Sequence, residues 1–206
     1  MHDNLRRSLG NIVDDLWGMP APAAPAVQEA PAQEVRPAFP PFEQLWKAVD
    51  ETVDWTEVLA HANPTDGLTP PETWALYRQH AAQVLSGDPE SYLAVLKAVD
   101  PLKDLTPWAE AFDVACRDAD SLRVTFTAIP GLWEAEGETY LAGMLLRIAR
   151  DLFALLPILQ VEAEAVVGGE TRLAAAFQRS DLTKVRFAYI DPVSFVHQCG
   201  IKHAED

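Results

Sequence analysis

The sequence predicts an α+β fold in which a helical N-terminal half packs on a small antiparallel sheet. Apolar residues recur at helical spacing between residues 41 and 118, two-residue alternation begins near residue 121, and two more alternating segments flank a Gly-Gly pair. The chain has 206 residues, of which 49% are hydrophobic and 23% charged, as in ordinary globular proteins. A single domain over residues 41–203 is therefore expected, preceded by a separate N-terminal segment.

Residues 41–118 are predicted to be helical. The segment FEQLWKAVDETV places its apolar residues on one side, and Pro70 with Pro71 open the segment PETWALYRQHAAQVLSG. Asp88 can cap the next helix, because Pro89 stands at its first position. Thr106 and Pro107 are predicted to start the last helix of this half, WAEAFDVACR.

Residues 121–199 predict the order β-α-β-β-α. The segment LRVTFTA alternates as a strand, and ETYLAGMLLRIARDLFALL is apolar around most of its circumference. We expect the latter to be the most buried helix, with Leu145, Ile148 and Leu152 in the core and Arg147 and Arg150 on an exposed strip. Two further strands, ILQVEAEAVV and TRLAAAFQR, surround the Gly-Gly pair at 168–169, which is typical of a tight hairpin.

Residues 1–18 are predicted to form an amphipathic helix on a tether. One apolar stripe is made by Leu5, Leu9, Ile12, Val13, Leu16 and Trp17. Residues 19–40 are rich in Pro and Ala and have no apolar period, which predicts a linker. A short helix on a linker cannot bury its own stripe, so we expect this stripe to bind a protein partner, a second copy or its own domain. We refer to these six residues as the N-terminal stripe.

The charge and the hydropathy of the chain exclude several classes of partner. The formal net charge of -15 disfavours direct binding to nucleic acid and to anionic membranes, and it leaves basic proteins as possible partners. No apolar run is long enough for a membrane span. Asp14 and Asp15 interrupt the N-terminus, so no secretory signal is expected and the cytoplasm is the expected location.

Two groups of residues are candidates for metal chemistry. His197, Cys199 and His203 form an H-x-C-x3-H cluster, but a structural zinc site needs a fourth ligand. The two cysteines of the chain, Cys116 and Cys199, are too far apart in sequence to indicate a disulfide framework.

The second group is Glu162 and Glu164, which alternate on one predicted strand and therefore share a face. Paired carboxylates can hold magnesium, although Val166 stands where a restriction-type nuclease would have lysine. The alternative is a solvated face with cross-strand pairs to Arg123 and Arg172. We expect the second arrangement, and we predict no catalytic residue, no metal site and no cofactor.

The C-terminal part of the chain resembles a module found in uncharacterised bacterial proteins. The resemblance rests on LRIARDLFALLPI and on TRLAAAFQRSDLTKVRFAYIDPVSF, which are similar to the helix, hairpin and hydrophobic-Asp-Pro segment of that module. YLAVLKAVDPLKDL, at residues 92–105, is similar to the segment that precedes it. The likeness covers about the last 115 residues. It implies a shared α+β fold of unknown function, because the matching residues are apolar or capping.

Three hypotheses for the function follow. The first is a non-catalytic protein–protein interaction protein or adaptor that acts through its tethered N-terminal helix. The second is an acidic inhibitor or immunity-type protein, which would bind one basic protein. The third is a metal-dependent nucleic-acid-processing enzyme that would use the face of Glu162 and Glu164.

Overall fold

A computed structural model of the protein describes residues 42–48 and 51–200. The predicted N-terminal helix and linker lie outside these residues. In chain order the elements are a 3₁₀ helix (Phe42–Lys47), α1 (Trp55–Ala60), α2 (Pro71–Leu85), α3 (Pro89–Val99), a 3₁₀ helix (Lys103–Trp108), β1 (Ala109–Cys116), β2 (Ser121–Ala128), α4 (Pro130–Glu136), α5 (Glu138–Leu155), β3 (Gln160–Val167), β4 (Glu170–Gln178), α6 (Arg179–Leu182), a 3₁₀ helix (Phe187–Tyr189) and α7 (Pro192–Gln198).

The α+β fold class is confirmed, but the sheet is mixed and not antiparallel as predicted. Its four strands lie in the order β1-β2-β3-β4. The outer pairs are antiparallel, whereas β2 and β3 are parallel. The parallel pair follows from the connection, because α4 and α5 return the chain to the starting end of the sheet before β3 begins.

The segment predicted as the last helix of the N-terminal half is strand β1. It pairs antiparallel with β2, with Phe112 opposite Phe126 and Val114 opposite Val124. Phe112 and Val114 are half-buried while the intervening Asp113 is exposed, so the segment has a two-residue period. The prediction of helix up to residue 118 was wrong because pairing with the free edge of β2 stabilised this short segment as a strand.

The predicted start of the helix at Asp88 is confirmed. Asp88 caps α3 by accepting a hydrogen bond from the Ser91 N–H, and Pro89 is the first helical residue. Asp191 caps α7 in the same way through the Ser194 N–H. The hairpin between β3 and β4 is also confirmed, since Gly168 and Gly169 both have positive φ angles, 59° and 86°.

Helix α5 lies at the centre of the hydrophobic core. Leu145, Ile148 and Leu152 are fully buried, as predicted. The sheet contributes fully buried residues from three strands, including Val124, Phe126, Val161, Ala163, Ala165, Ala175 and Phe177. These residues belong to one cluster that extends from Trp46 to Val196. The described residues therefore form a continuous core.

The prediction of an exposed strip on α5 was wrong, because Arg147 is buried and Arg150 is half-buried. Arg147 is 8% exposed and Asp151 is fully buried, and their Nε and Oδ2 atoms are 2.6 Å apart. The 3₁₀ helix Phe42–Lys47 packs against α5, and Arg150 donates a hydrogen bond to the carbonyl oxygen of Trp46. Two opposite charges four residues apart on a helix neutralise each other, which lets this strip lie beneath other residues.

Candidate functional site

The structure leaves the N-terminal stripe untested, because all six of its residues lie outside the described part of the chain. Leu5, Leu9, Ile12, Val13, Leu16 and Trp17 therefore remain a prediction from the sequence. The same holds for His203, the third residue of the H-x-C-x3-H cluster.

The face of Glu162 and Glu164 is neutralised by arginine. Arg117 Nη2 lies 3.2 Å from Glu162 Oε2, and Arg123 donates to Glu164 from the neighbouring strand. The two glutamate side chains are only 19% and 16% exposed. The cross-strand pairing with Arg123 is thus confirmed. These pairs disfavour a metal site, because a cation would first have to displace the guanidinium groups.

Arg172, the other predicted partner of this face, lies elsewhere in the hairpin. Its Nη2 atom is 2.8 Å from Glu170 Oε2. The register of β3 and β4 shifts next to Val166, which places Thr171 opposite Val166 and Ala174 opposite Glu164. The register shift could not be predicted from the alternation of apolar and polar residues. Alternation determines which face of the sheet a side chain occupies, but not which residue lies opposite on the neighbouring strand.

His197 and Cys199 take part in ordinary packing and pairing. His197 Nε2 lies 2.7 Å from Glu138 Oε1, at the start of α5. Burial raises the pKa of the Cys199 thiol and of the Cys116 thiol, which disfavours the reactive thiolate form. Across residues 42–48 and 51–200, no group of three or more His, Cys, Asp or Glu side chains is arranged to hold a metal ion.

One pocket among the described residues has an acidic rim and an aromatic floor, and we call it the acidic pocket. It measures about 560 Å³ and lies between α1, α2 and the loop that joins them. Trp74 and Tyr77 contribute to the floor. The rim carries the carboxylates of Glu51, Asp54, Glu57 and Asp66. Hydrogen bonds from Thr69 lower the pKa of Asp66, and those from Thr56 and Glu57 lower the pKa of Asp54. Asp54 and Asp66 therefore carry negative charge at neutral pH.

A second candidate site lies at the C-terminal end of α5. This pocket measures about 180 Å³ and is lined by Thr52, Arg150, Phe153, Ala154, Arg179, Leu182, Thr183 and Phe187. We call it the arginine pocket. A neighbouring pocket of about 370 Å³ shares Thr52, Phe153 and Arg179 with it. The two pockets together form a groove along the chain segment that precedes α1.

Arg150 is half-buried and is held by backbone and aromatic contacts. Its Nη1 atom donates to the carbonyl oxygens of Trp46 and Ala48, the latter at 3.2 Å. Its guanidinium carbon lies 3.8 Å from the centre of the Phe187 ring. Burial lowers the pKa of Arg150, and the charge of Asp151 opposes this effect.

Arg179 binds the end of α5 from the start of α6. Its Nε donates to the Ile158 carbonyl oxygen at 2.7 Å, and its Nη2 donates to the carbonyl oxygens of Phe153, at 2.8 Å, and Leu156. The guanidinium carbon is 5.0 Å from the centre of the Phe153 ring. Burial lowers the pKa of Arg179. The group nevertheless stays protonated at neutral pH, because no arginine in a protein loses its proton there.

Sequence reasoning did not find the arginine pocket. Arg150 belongs to the periodic pattern of α5 and was assigned to an exposed strip, while Arg179 directly follows a strand and belongs to no pattern. The two residues line one pocket because Arg179 bonds to carbonyl oxygens at the end of α5. A charged residue directly after an alternating strand was the only available signal.

Comparisons with protein-family models, with curated proteins and with solved structures found no match to this chain. The resemblance of the C-terminal part to an uncharacterised bacterial module therefore remains a prediction. Of the described helices, none combines the length and the apolar character that a membrane span requires.

Proposed function

We propose that this chain is a non-catalytic protein–protein interaction protein, acting in the cytoplasm, that binds its partner through the N-terminal stripe. The stripe itself carries the proposal, because six apolar side chains at helical spacing stand before a Pro/Ala-rich linker. Burial of such a side chain is worth about 1.5–3 kcal/mol, and exposure favours aggregation. The continuous core of the described residues supports the proposal, since the predicted linker would then join the stripe to a folded domain.

The stripe has the pattern of a helix that binds in a groove. Arg7 and Asp14 fall on the opposite side of the predicted helix, and Arg6 lies at the edge of the apolar sector, between Val13 and Trp17. Partners of such helices offer an apolar groove that accepts side chains at i, i+3, i+4 and i+7. The partner is a different protein with such a groove or a second copy of this chain.

Two matched double variants test the proposal. Leu9→Asp with Leu16→Asp places two charges in the stripe, and Asn4→Asp with Asn11→Asp places the same two charges on the opposite face. A protein that the wild type captures from native lysate is purified, and its affinity for each variant is measured. We expect the stripe variant to lose at least about tenfold in affinity, or about 1.4 kcal/mol, and the control to bind like wild type.

Light scattering on the same variants identifies a second copy as the partner. A dimer that becomes a monomer only in the stripe variant supports self-association through the stripe. Equal affinity and equal mass in both variants would show that the stripe binds nothing, and the proposal would then be wrong.

A second candidate is an acidic inhibitor or immunity-type protein, and the carboxylates at the rim of the acidic pocket favour it. The rim would attract a basic protein, and the association rate would fall steeply with salt. Glu51→Gln with Glu57→Gln removes two rim charges, and Glu90→Gln with Glu134→Gln removes two charges elsewhere. Binding that is lost only in the first pair, and kept in the stripe variant, would favour this candidate over the first.

A further inference from the structure

We propose that Arg150 and Arg179 form a binding site for a phosphate group, carried by inorganic phosphate or by a small phosphate monoester. The site is the arginine pocket, and the proposal is independent of the N-terminal stripe.

The two guanidinium groups retain hydrogen-bond donors after their protein contacts are counted. A guanidinium has five N–H donors. Arg150 donates both Nη1 hydrogens to carbonyl oxygens. Its three other N–H donors, on Nε and Nη2, have no acceptor among the described residues. Arg179 donates its Nε hydrogen and both Nη2 hydrogens to carbonyl oxygens. Its two Nη1 hydrogens have no acceptor among the described residues. Two half-buried cations that line one small pocket therefore have donors to offer a ligand.

Arg150 and Arg179 have no carboxylate partner among the described residues, although the net charge of the chain is -15. Arg78 and Arg186 also have none in this part of the chain, but both are exposed and stay hydrated, whereas Arg150 and Arg179 are half-buried. Four other arginines do have one: Arg117, Arg123, Arg147 and Arg172. Asp151 is close enough to favour the charged form of Arg150, but it is fully buried and its Oδ2 bonds to Arg147. Partly desolvated charges of one sign favour an anion of opposite sign.

The pocket suits a phosphate group better than a carboxylate. A phosphate monoester carries about -1.5 to -2 charges at pH 7 and three strong acceptor oxygens, whereas a carboxylate carries one charge and two oxygens. Two guanidinium groups match the former in charge. The volume of about 180 Å³ has room for about six water-sized groups at about 30 Å³ each, which is enough for a phosphate with a small substituent.

The aromatic contacts prepare the guanidinium groups for binding. Phe187 lies against Arg150 and Phe153 lies near Arg179, so the ring contacts and the carbonyl bonds restrict how each guanidinium can turn. Little side-chain entropy is then lost when the ligand binds. The exposed hydroxyl of Thr52 lines the same pocket and adds a further donor.

The first experiment measures protection of the intact chain. Phenylglyoxal modifies accessible arginines, and peptide mass spectrometry gives the modification rate at each position with and without inorganic phosphate or glycerol phosphate. We expect either anion to slow modification at Arg150 and Arg179 at least about threefold, while Arg172, which pairs with Glu170 on the hairpin, is unchanged. Acetate at the same ionic strength is the control for general screening. Equal protection at all three arginines would overturn the proposal.

The second experiment measures affinity by calorimetry. We expect Arg150→Gln and Arg179→Gln to weaken phosphate binding at least about tenfold, and Arg172→Gln to leave it unchanged. Thr52→Val, which removes only an exposed hydroxyl, should weaken binding less. If either glutamine variant fails to fold, the proposal is tested by the affinity of Thr52→Val for phosphate and by the protection of Arg150 and Arg179 in the wild-type chain. No saturable binding of either anion to the wild type would overturn the proposal. Tighter binding of the monoester identifies it as the ligand, and tighter binding of the free ion identifies inorganic phosphate.

Discussion

The ion pair within α5 and the ion pairs on the open face of the sheet use the same residue types in different surroundings. Asp151 is fully buried with Arg147 beside it, whereas Arg123 and Arg117 are 42% and 47% exposed above their glutamates. A buried charge that loses its partner keeps the full cost of its desolvation, but an exposed charge regains water. The burial of an ion pair, and not the number of such pairs, therefore determines how much the loss of one partner lowers the free energy of unfolding.

The largest effect is expected from Asp151→Asn. This variant removes the buried negative charge beside Arg147 and leaves a guanidinium that is only 8% exposed. We expect the free energy of unfolding to fall by about 3–5 kcal/mol, measured by urea denaturation. Glu164→Gln is the matched control on the open face. A loss below about 1 kcal/mol in Asp151→Asn would contradict the contrast between the two regions.

A second large effect is expected from Leu152→Ala, one residue further along α5. Leu152 is fully buried in the core, so its truncation should cost about 2–5 kcal/mol through lost burial and a cavity. Leu159→Ala is the control, because Leu159 is 53% exposed and its truncation should change stability by no more than about 0.5 kcal/mol. Equal losses in both variants would show that α5 packs less tightly than the structure indicates.

The sequence predicted elements whose signals are local. Helix α5 has a continuous apolar pattern, the hairpin has two adjacent glycines, and α3 begins with Asp88 and Pro89. Each of these features acts within a few residues, so no knowledge of the tertiary structure was needed.

The remaining features depend on contacts between distant segments. Strand β1 exists because β2 offers it an edge, and the parallel pairing follows from the path of the chain through α5. The contact of Arg150 with the carbonyl oxygen of Trp46 depends on the packing of the 3₁₀ helix Phe42–Lys47 against α5. The arginine pocket likewise joins Arg150 and Arg179, which are separated in sequence by a whole hairpin. Periodicity carries no information on any of these contacts.

A smaller effect is expected on the open face, where Arg123 and Glu164 form a partly exposed pair between neighbouring strands. A double-mutant cycle with Arg123→Gln and Glu164→Gln should give a coupling free energy of about 0.2–1 kcal/mol. Because the Arg123 side chain is 42% exposed, salt should screen the pair and the coupling free energy should fall in about 1 M salt. A coupling that salt leaves unchanged would mean that this pair behaves like the buried one.

The smallest effect concerns exposed carboxylates that bind backbone N–H groups instead of arginine. Hydrogen bonds from Ser91 lower the pKa of Asp88 in the folded state. A lowered pKa means that the stability contributed by this charge is fully present above the unfolded-state pKa, near 4, and is lost as the pH falls through the folded-state value.

Asp88→Asn keeps a capping acceptor but cannot titrate. We therefore expect it to be slightly less stable than wild type at pH 7 and to lose less stability in urea unfolding between about pH 5 and pH 2.5. Asp88→Ala removes the cap and should be less stable than Asp88→Asn at every pH. If Asp88→Asn and wild type lose the same stability over that range, the charge of Asp88 does not stabilise α3, and exposed charges on this protein matter only where they meet an arginine.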